Sequence, residues 1–539
     1  MKRIFIAIFS LVLILSGCSS EASSFTYLVN QAVETMDPVD ASYSQTFQLF
    51  ADIYLGPNQI NQDGDLVLGN AESIDVSDDQ LTYTIHLRDD VYWVNNNGEQ
   101  MAPVTAQDYV NGYKRMVDPT EASIFSYIFE VIDGANEIIS GDATPDTLAV
   151  DLVDDYTFTI TLDYVAPYFE SMLAFGSFVP QPTEAISEYG EDYGLTAETT
   201  WYNGAYYVSE YDPEYIITLE KNPLYINSDN VQLEKIDFRL NEDSSSRYNA
   251  FLNGEADYGE ITTPEDYALG IEEGQVNDKM TSYSYYAVLN AADSAVTSNK
   301  DLRMALAYGF DRQTITEGVY GDINKPIEYI IPADLTTSSY GGVDYHDYSS
   351  DSLITYDPDK ANEYFDKYME EAGISDRSDI SIELLASADA TGNSKFAEVV
   401  QSSYLQNFGI NIELTVQPFE QFLASKKSGA FDMYLQSWGP DYADPSTYLS
   451  LWQSSQIGSQ NYAGYNNPEY DELYNKAVVE TDTDTRFEEF AQLEKMIVDD
   501  GVAIPFFQLN SPYVITDGYT MPFDSFNSIS HEYITYQGE

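Results

Sequence analysis

The chain has 539 residues, with 90 Asp and Glu against 23 Lys and Arg, a formal net charge of −67, three His and one Cys. Nucleic-acid binding needs a basic footprint and is excluded, because the densest cationic runs are pairs such as Lys114-Arg115 and Lys426-Lys427. One Cys gives no disulfide framework, and His86, His346 and His531 are too scattered for a metal site. A content of 43% apolar and 14% aromatic residues still supports a large core, spread over roughly two to four domains.

At the N-terminus, Met1-Lys2-Arg3 is cationic, Ile4 to Leu15 is apolar apart from Ser10, and Ser16-Gly17 precede Cys18. The apolar run falls short of the ~20 residues that span a bilayer but suits the core of an export signal. Residues 1–17 are therefore expected to be a lipoprotein signal peptide, with the thiol of Cys18 receiving the lipid. Residues 18–24 lack apolar periodicity and read as a flexible tether.

In the body, Leu81, Tyr83, Ile85 and Leu87 alternate with polar residues, as in a half-buried strand. Asp357-Pro358 is a helix start, Ala361, Tyr364, Phe365, Tyr368 and Met369 follow at helical spacing, and Gly373 stops the helix. Ile380, Ile382 and Leu384 alternate as a strand. Phe396, Val399, Val400 and Tyr404 form a helical stripe, and Ile410, Ile412, Leu414 and Val416 alternate again, which predicts a βαβ unit. A third strand is predicted from Phe431 to Trp438, followed by a turn-rich loop from Gly439 to Pro445. Ligands of open α/β sheets sit beyond the carboxyl ends of strands, which makes that loop the first place to look for a site. Two more helices follow, one capped by Asn467-Pro468 and one carrying Phe487, Phe490, Leu493 and Ile497.

Catalytic signatures are missing. No two glycines are separated by a single residue, glycines four apart enclose no Ser, and glycines five apart are not followed by Lys-Ser/Thr, which removes the dinucleotide, nucleophile-elbow and P-loop patterns. His346, within Asp344-Tyr345-His346-Asp347-Tyr348, has no second His nearby and reads as a polar surface loop. From its setting alone, Asp441 reads equally as a turn cap and as a ligand carboxylate.

Several fragments, in order, resemble the extracellular solute-binding proteins, family 5, of oligopeptide ABC transporters. They are Thr82-Tyr83-Thr84 through Trp93, Asn97-Gly98, Pro103-Val104-Thr105-Ala106-Gln107-Asp108 and Asp118-Pro119, then Ala166-Pro167-Tyr168-Phe169, Pro180-Gln181, Asn203-Gly204-Ala205-Tyr206 and Lys221-Asn222-Pro223. The series continues with Leu302 to Arg312 and ends on Phe431-Asp432-Met433, Trp438-Gly439, Asp441-Tyr442 and Asp444-Pro445. The resemblance implies an α/β fold of the two-lobed periplasmic-binding type, with an extra inserted domain and a hinge. Domain I would comprise residues 25–54, 177–283 and 508–539, domain II residues 55–176, and domain III, the opposite lobe, residues 284–507. The two crossings would lie near Tyr285 and Phe507.

The function implied is that of a non-enzymatic, monomeric receptor, anchored through Cys18 on the extracellular face of a cell membrane. It would close on oligopeptides and deliver them to an ABC permease. No cofactor or metal is implied. Asp441 would hold the ligand's α-amino group, with Trp438 and Tyr442 beside it. Ser437 and Gly439, together with Ser42 and Ser44 after Asp37-Pro38, would pair with the ligand backbone, and Tyr127, Tyr283, Tyr285 and Trp438 would line side-chain pockets. Pro440 stands where the family has a small residue and Tyr211 where it has Trp, so ligand preference does not transfer. A signalling peptide, an oligosaccharide or a metal chelate as ligand, or an extracellular glycan- or peptide-acting enzyme, are the competing readings.

Overall fold

The computed structural model describes residues 24–42, 44–292, 294, 296–337, 340, 342–350, 352–388, 393–522 and 530–537. Cys18, the expected signal peptide and all of the expected tether except Ser24 lie outside them.

Strands β1 (Ser24–Val29), β2 (Ala71–Val76), β3 (Thr82–Leu87), β4 (Val150–Asp154), β5 (Thr157–Thr161), β6 (Tyr206–Asp212), β7 (Ile216–Lys221) and β8 (Lys235–Leu240) build two sheets in the first lobe. One has the order β1-β8-β7-β6, with β1 parallel to β8, and the other is the antiparallel sheet β2-β3-β5-β4. The alternation predicted from Leu81 is β3, whose Tyr83, Ile85 and Leu87 are buried beside Phe158 and Ile160 of β5. Helix α1 spans Ser44–Ile53 and α2 spans Ala106–Val117. Tyr109 of α2 stacks on Phe158 at 5.1 Å between ring centroids. The Pro103–Asp108 fragment has a structural job: Asp108 accepts hydrogen bonds from the Thr105 backbone at 3.0 Å and the Trp93 indole at 3.1 Å, capping α2 and fixing it to the neighbouring strand.

The second lobe is a six-stranded sheet of β9 (Met280–Leu289), β10 (Lys325–Pro326), β11 (Ser381–Ser387), β12 (Asn411–Gln417), β13 (Met433–Trp438) and β14 (Ala503–Asn510), in the order β10-β14-β9-β13-β11-β12. Helix α3 (Pro358–Ala372) begins where predicted: the Asp357 side chain accepts from the Lys360 amide at 2.9 Å, and Gly373, at φ 68°, ends the helix. The βαβ unit is present, with β11 parallel to β12 and α4 (Asn393–Phe408) between them burying Phe396, Val400 and Tyr404. Val416, on the same face of β12 as the buried Ile412 but next to its end, is 39% exposed. Helices α5 (Pro468–Ala477) and α6 (Thr483–Asp499) follow, the latter burying Phe487, Phe490, Leu493 and Ile497.

Strands β9 and β14 are antiparallel neighbours and carry the chain between the lobes. Tyr285 and Phe507, expected near the crossings, face each other within this strand pair with ring centroids 4.9 Å apart. Towards its end Met280 stands opposite Asn510 and Asn277 bridges Tyr513. Between Met280 and Ser284 the register slips, Ser284 facing Gln508, so β9 carries a bulge there. Gln508 Nε2 donates to the Thr281 carbonyl at 2.8 Å and the Thr281 hydroxyl to the Leu509 carbonyl at 2.9 Å, which pins the bulge. Among the described residues no helix is long and apolar enough to cross a membrane, and no group of three or more His, Cys, Asp and Glu is placed to hold a metal.

Candidate functional site

Strand β13 pairs with β9 along its length but with β11 only at Met433 and Tyr434. From Leu435 to Trp438 its second edge has no strand partner among the described residues, and such an edge can accept an extended chain. The chain then turns through Gly439 to Pro445 at the carboxyl end of β13, as predicted from sequence. Asp444 is the structural residue of this loop. It is fully buried, accepts from the Ser446 amide at 2.9 Å, forms an ion pair with Arg486 of α6 at 2.8 Å and accepts a hydrogen bond from the Tyr340 hydroxyl. The Asp441 amide donates to the Thr447 hydroxyl at 3.2 Å, which fixes the backbone under its carboxylate.

Asp441 stands apart from the other loop acid. Its carboxylate is half-buried and accepts a 2.6 Å hydrogen bond from the Tyr127 hydroxyl, which comes from the other lobe, in the turn Ser126–Phe129. Burial pushes its carboxyl up from 3.8 to about 6, against the lowering effect of the Tyr127 bond, and no cation acts on it. Burial, and then the negative charge of Asp441, raise Tyr127 well above the ordinary tyrosine value, so Tyr127 stays a neutral donor. A partly desolvated carboxylate with one neutral partner is an acceptor suited to a ligand cation.

Gly439 and Tyr283 meet here. Tyr283 sits in the β9 bulge, and a Cβ added to Gly439 would lie 2.1–2.5 Å from its ring atoms. Only a glycine lets the ring cover the loop. Gly439→Ala is expected to displace Tyr283 and weaken ligand binding by about 1–3 kcal/mol. Calorimetry on the single variant and on Gly439→Ala/Tyr283→Ala checks this, since the double variant should bind better than the single one.

The remaining expected site residues divide. Trp438 and Tyr442 are half-buried at the loop, and the Trp438 indole N–H is sheltered without an acceptor among the described residues. Ser437 is exposed and pairs with Tyr285 across the β9–β13 ladder. Tyr285 does not line a pocket. It is 4% exposed, wedged between Phe396 at 5.6 Å and Phe507 at 4.9 Å, because its position in β9 turns it into the lobe core. Ser42 and Ser44 are not on a strand: Pro38–Asp40 is a helical turn, Ser42 is exposed and Ser44 opens α1. The turn before them is capped by Asp37, whose carboxylate accepts from the Val39 amide at 3.2 Å and is held by Arg115 at 2.9 Å.

Contacts not anticipated from sequence also join the lobes. Tyr168 stacks on Tyr442, and the Gln456 side-chain amide reaches Glu130 at 3.5 Å. Tyr168 lies in the Ala166-Pro167-Tyr168-Phe169 fragment, the one signal that could have pointed to it.

Comparison with known proteins agrees with this architecture. The sequence pattern described as "Bacterial extracellular solute-binding proteins, family 5 Middle" matches residues 65–460. The dipeptide-binding protein of Lactococcus lactis is 28% identical over 492 residues, covering 88% of this chain and 87% of that protein. Listeria monocytogenes OppA bound to peptide superposes with a TM-score of 0.82 at 26% identity, covering 96% of this chain and 99% of that one. The unliganded open form of the periplasmic murein tripeptide-binding protein MppA scores 0.71 at 26% identity, over 95% of this chain and 97% of that one. The lower score against an open form accords with the cross-lobe contacts of Asp441 and Tyr168. By sequence and by fold, the chain belongs to the bacterial extracellular solute-binding proteins of family 5, two-lobed binding proteins and not enzymes.

Proposed function

We propose that this protein is a monomeric, lipid-anchored receptor on the outer face of a bacterial cell membrane, which captures oligopeptides between its lobes and delivers them to an ABC transporter permease. The observation that carries the reading is Asp441, a half-buried carboxylate between the lobes whose pKa is raised and which among the described residues has Tyr127 as its one side-chain partner. A peptide's α-ammonium supplies the missing charge. The edge of β13 beside it, from Leu435 to Trp438 without a strand partner among the described residues, offers main-chain groups to an extended ligand of any sequence. The relatives named for dipeptides and oligopeptides support the same ligand class. Native mass spectrometry of the purified protein tests the proposal. Co-purified peptides are expected, and a protein that carries none and binds none from a mixed peptide digest would refute it.

The anchor rests on the sequence at Cys18. Replacing it in Cys18→Ser is expected to move the protein from the membrane fraction to the soluble one while peptide affinity stays unchanged. Fractionation followed by immunoblotting reads the outcome, and a variant that stays on the membrane would remove the lipid from the proposal.

A further inference from the structure

Beside Asp441 the lobes meet through a second, differently built contact. Tyr168 of the first lobe is 4% exposed and lays its ring on Tyr442 of the second, with centroids 4.7 Å apart and planes at 12°. The Arg486 guanidinium lies 5.4 Å from the same Tyr168 ring. The surface that receives Tyr168 is rigid. Arg486 is fixed by Asp444 at 2.8 Å and by the carbonyls of Ala477 at 2.8 Å and Val478 at 2.6 Å, and the Tyr442 hydroxyl accepts from Ser446 Oγ at 3.2 Å. The hydroxyl of Tyr168 meets that of Tyr164, in its own lobe, at 3.0 Å. Across the lobes Tyr168 therefore acts through its ring face, against one aromatic ring and one cation, both attached to the loop that carries Asp441.

We propose that Tyr168 is a positioning residue that couples lobe closure to the seating of Asp441: its ring docks on Tyr442 and Arg486 when the lobes close and holds the ligand carboxylate against the captured peptide. The inference rests on the peptide-receptor reading above. Stacked rings and cation–ring contacts in a desolvated setting are strong enough to govern closure. Because the contact forms after capture, it acts on release more than on encounter.

The test uses the full chain with a tryptic digest of casein as probe. It measures compaction by small-angle X-ray scattering and peptide release by intrinsic fluorescence after rapid dilution. Wild-type protein compacts on adding the digest. Tyr168→Leu should bind at the same rate but release on the order of tenfold to a hundredfold faster and compact less, whereas Tyr168→Phe, which keeps the ring and loses the Tyr164 contact, should behave as wild type. Tyr442→Leu should reproduce the Tyr168→Leu release rate, and the double variant should add nothing further. Because the readout is ligand-dependent compaction, a general loss of fold, visible in the melting curve of the ligand-free variant, is told apart from it. Wild-type protein that neither binds nor compacts would overturn the receptor reading. If wild type binds and compacts while Tyr168→Leu releases peptide at the wild-type rate, the coupling role is wrong, and a Tyr168→Phe variant as impaired as Tyr168→Leu would also overturn it by showing that the hydroxyl matters and not the ring.

Discussion

Replacing Asp441 in Asp441→Ala should raise the dissociation constant for free-amino peptides by a factor of thirty or more, because removing one partner of a buried charge pair costs about 2–5 kcal/mol. The same variant should bind N-acetylated peptides at least as well as the wild type does. In the wild type an acetylated ligand leaves Asp441 buried without a counter-charge, and in the variant there is no charge left to strand. Titration calorimetry with matched free and acetylated peptides closes the cycle. If acetylation costs as much in Asp441→Ala as in the wild type, the ammonium is held elsewhere.

The raised pKa adds a pH signature with a definite sign. A carboxyl moved from 3.8 to about 6 by burial has lost about 3 kcal/mol of ionised-state stability. Closing the lobes over a charged and unmatched Asp441 is therefore unfavourable at neutral pH, and an arriving ammonium relieves that cost, so capture and closure reinforce each other. From about pH 7 to the ligand's α-amino pKa of about 8 both partners are ionised and affinity should be flat, and above that loss of the ammonium should weaken it. Below about pH 6, protonation of the carboxylate competes with the ligand, and affinity for free-amino peptides should fall by about tenfold per pH unit, while acetylated peptides lose nothing. A flat profile down to pH 4.5 for free-amino peptides would contradict the pairing.

What could be read from the sequence was what is local. The β11–α4–β12 unit and helix α3 announce themselves because burial on one face imposes a period of two or 3.6, and because Asp357 and Gly373 punctuate the helix where its orphan backbone groups need them. The loop after β13 was legible for the same reason, as a turn at the end of a predicted strand. Chemistry that depends on distant chain was not. Asp441 meets Tyr127 across 314 positions, and Tyr168 meets Tyr442 only because the lobes close. The bulge that aims Tyr283 over Gly439 has no composition signal, since the slip arises from how β9 pairs with β14. Tyr285, two residues further on, looks the same in sequence and faces the core. Ser42 and Ser44 are not on a strand, Ser44 opening α1, and the Arg115 side chain that holds Asp37 just before them is 78 positions away in the chain.

The buried pair beneath the site carries the largest expected stability effect. Arg486 and Asp444 have fully buried side chains, and the arginine joins them through two nitrogens, Nη2 at 2.8 Å and Nε at 3.3 Å. Burial works against the Arg486 charge, yet the adjacent Asp444 more than offsets it, so the guanidinium is held above its ordinary pKa. Arg486→Met leaves the Asp444 carboxylate in an apolar setting with, among the described residues, the Tyr340 hydroxyl and the Ser446 amide as the partners of its side chain. That should destabilise the second lobe by about 3–5 kcal/mol. Adding Asp444→Asn removes the stranded charge while keeping an oxygen for the Ser446 amide, so the double variant should be more stable than Arg486→Met alone. Urea unfolding followed by tryptophan fluorescence measures both, and a single variant within about 1 kcal/mol of wild type would show that the charge is relieved by water entering the core. The two variants should also separate the roles of the neighbouring acids: the double variant keeps Asp441 and with it the discrimination between free and acetylated peptides. Asp444 then acts on ligand only through the position of the loop, whereas Asp441 acts on the ligand's charge.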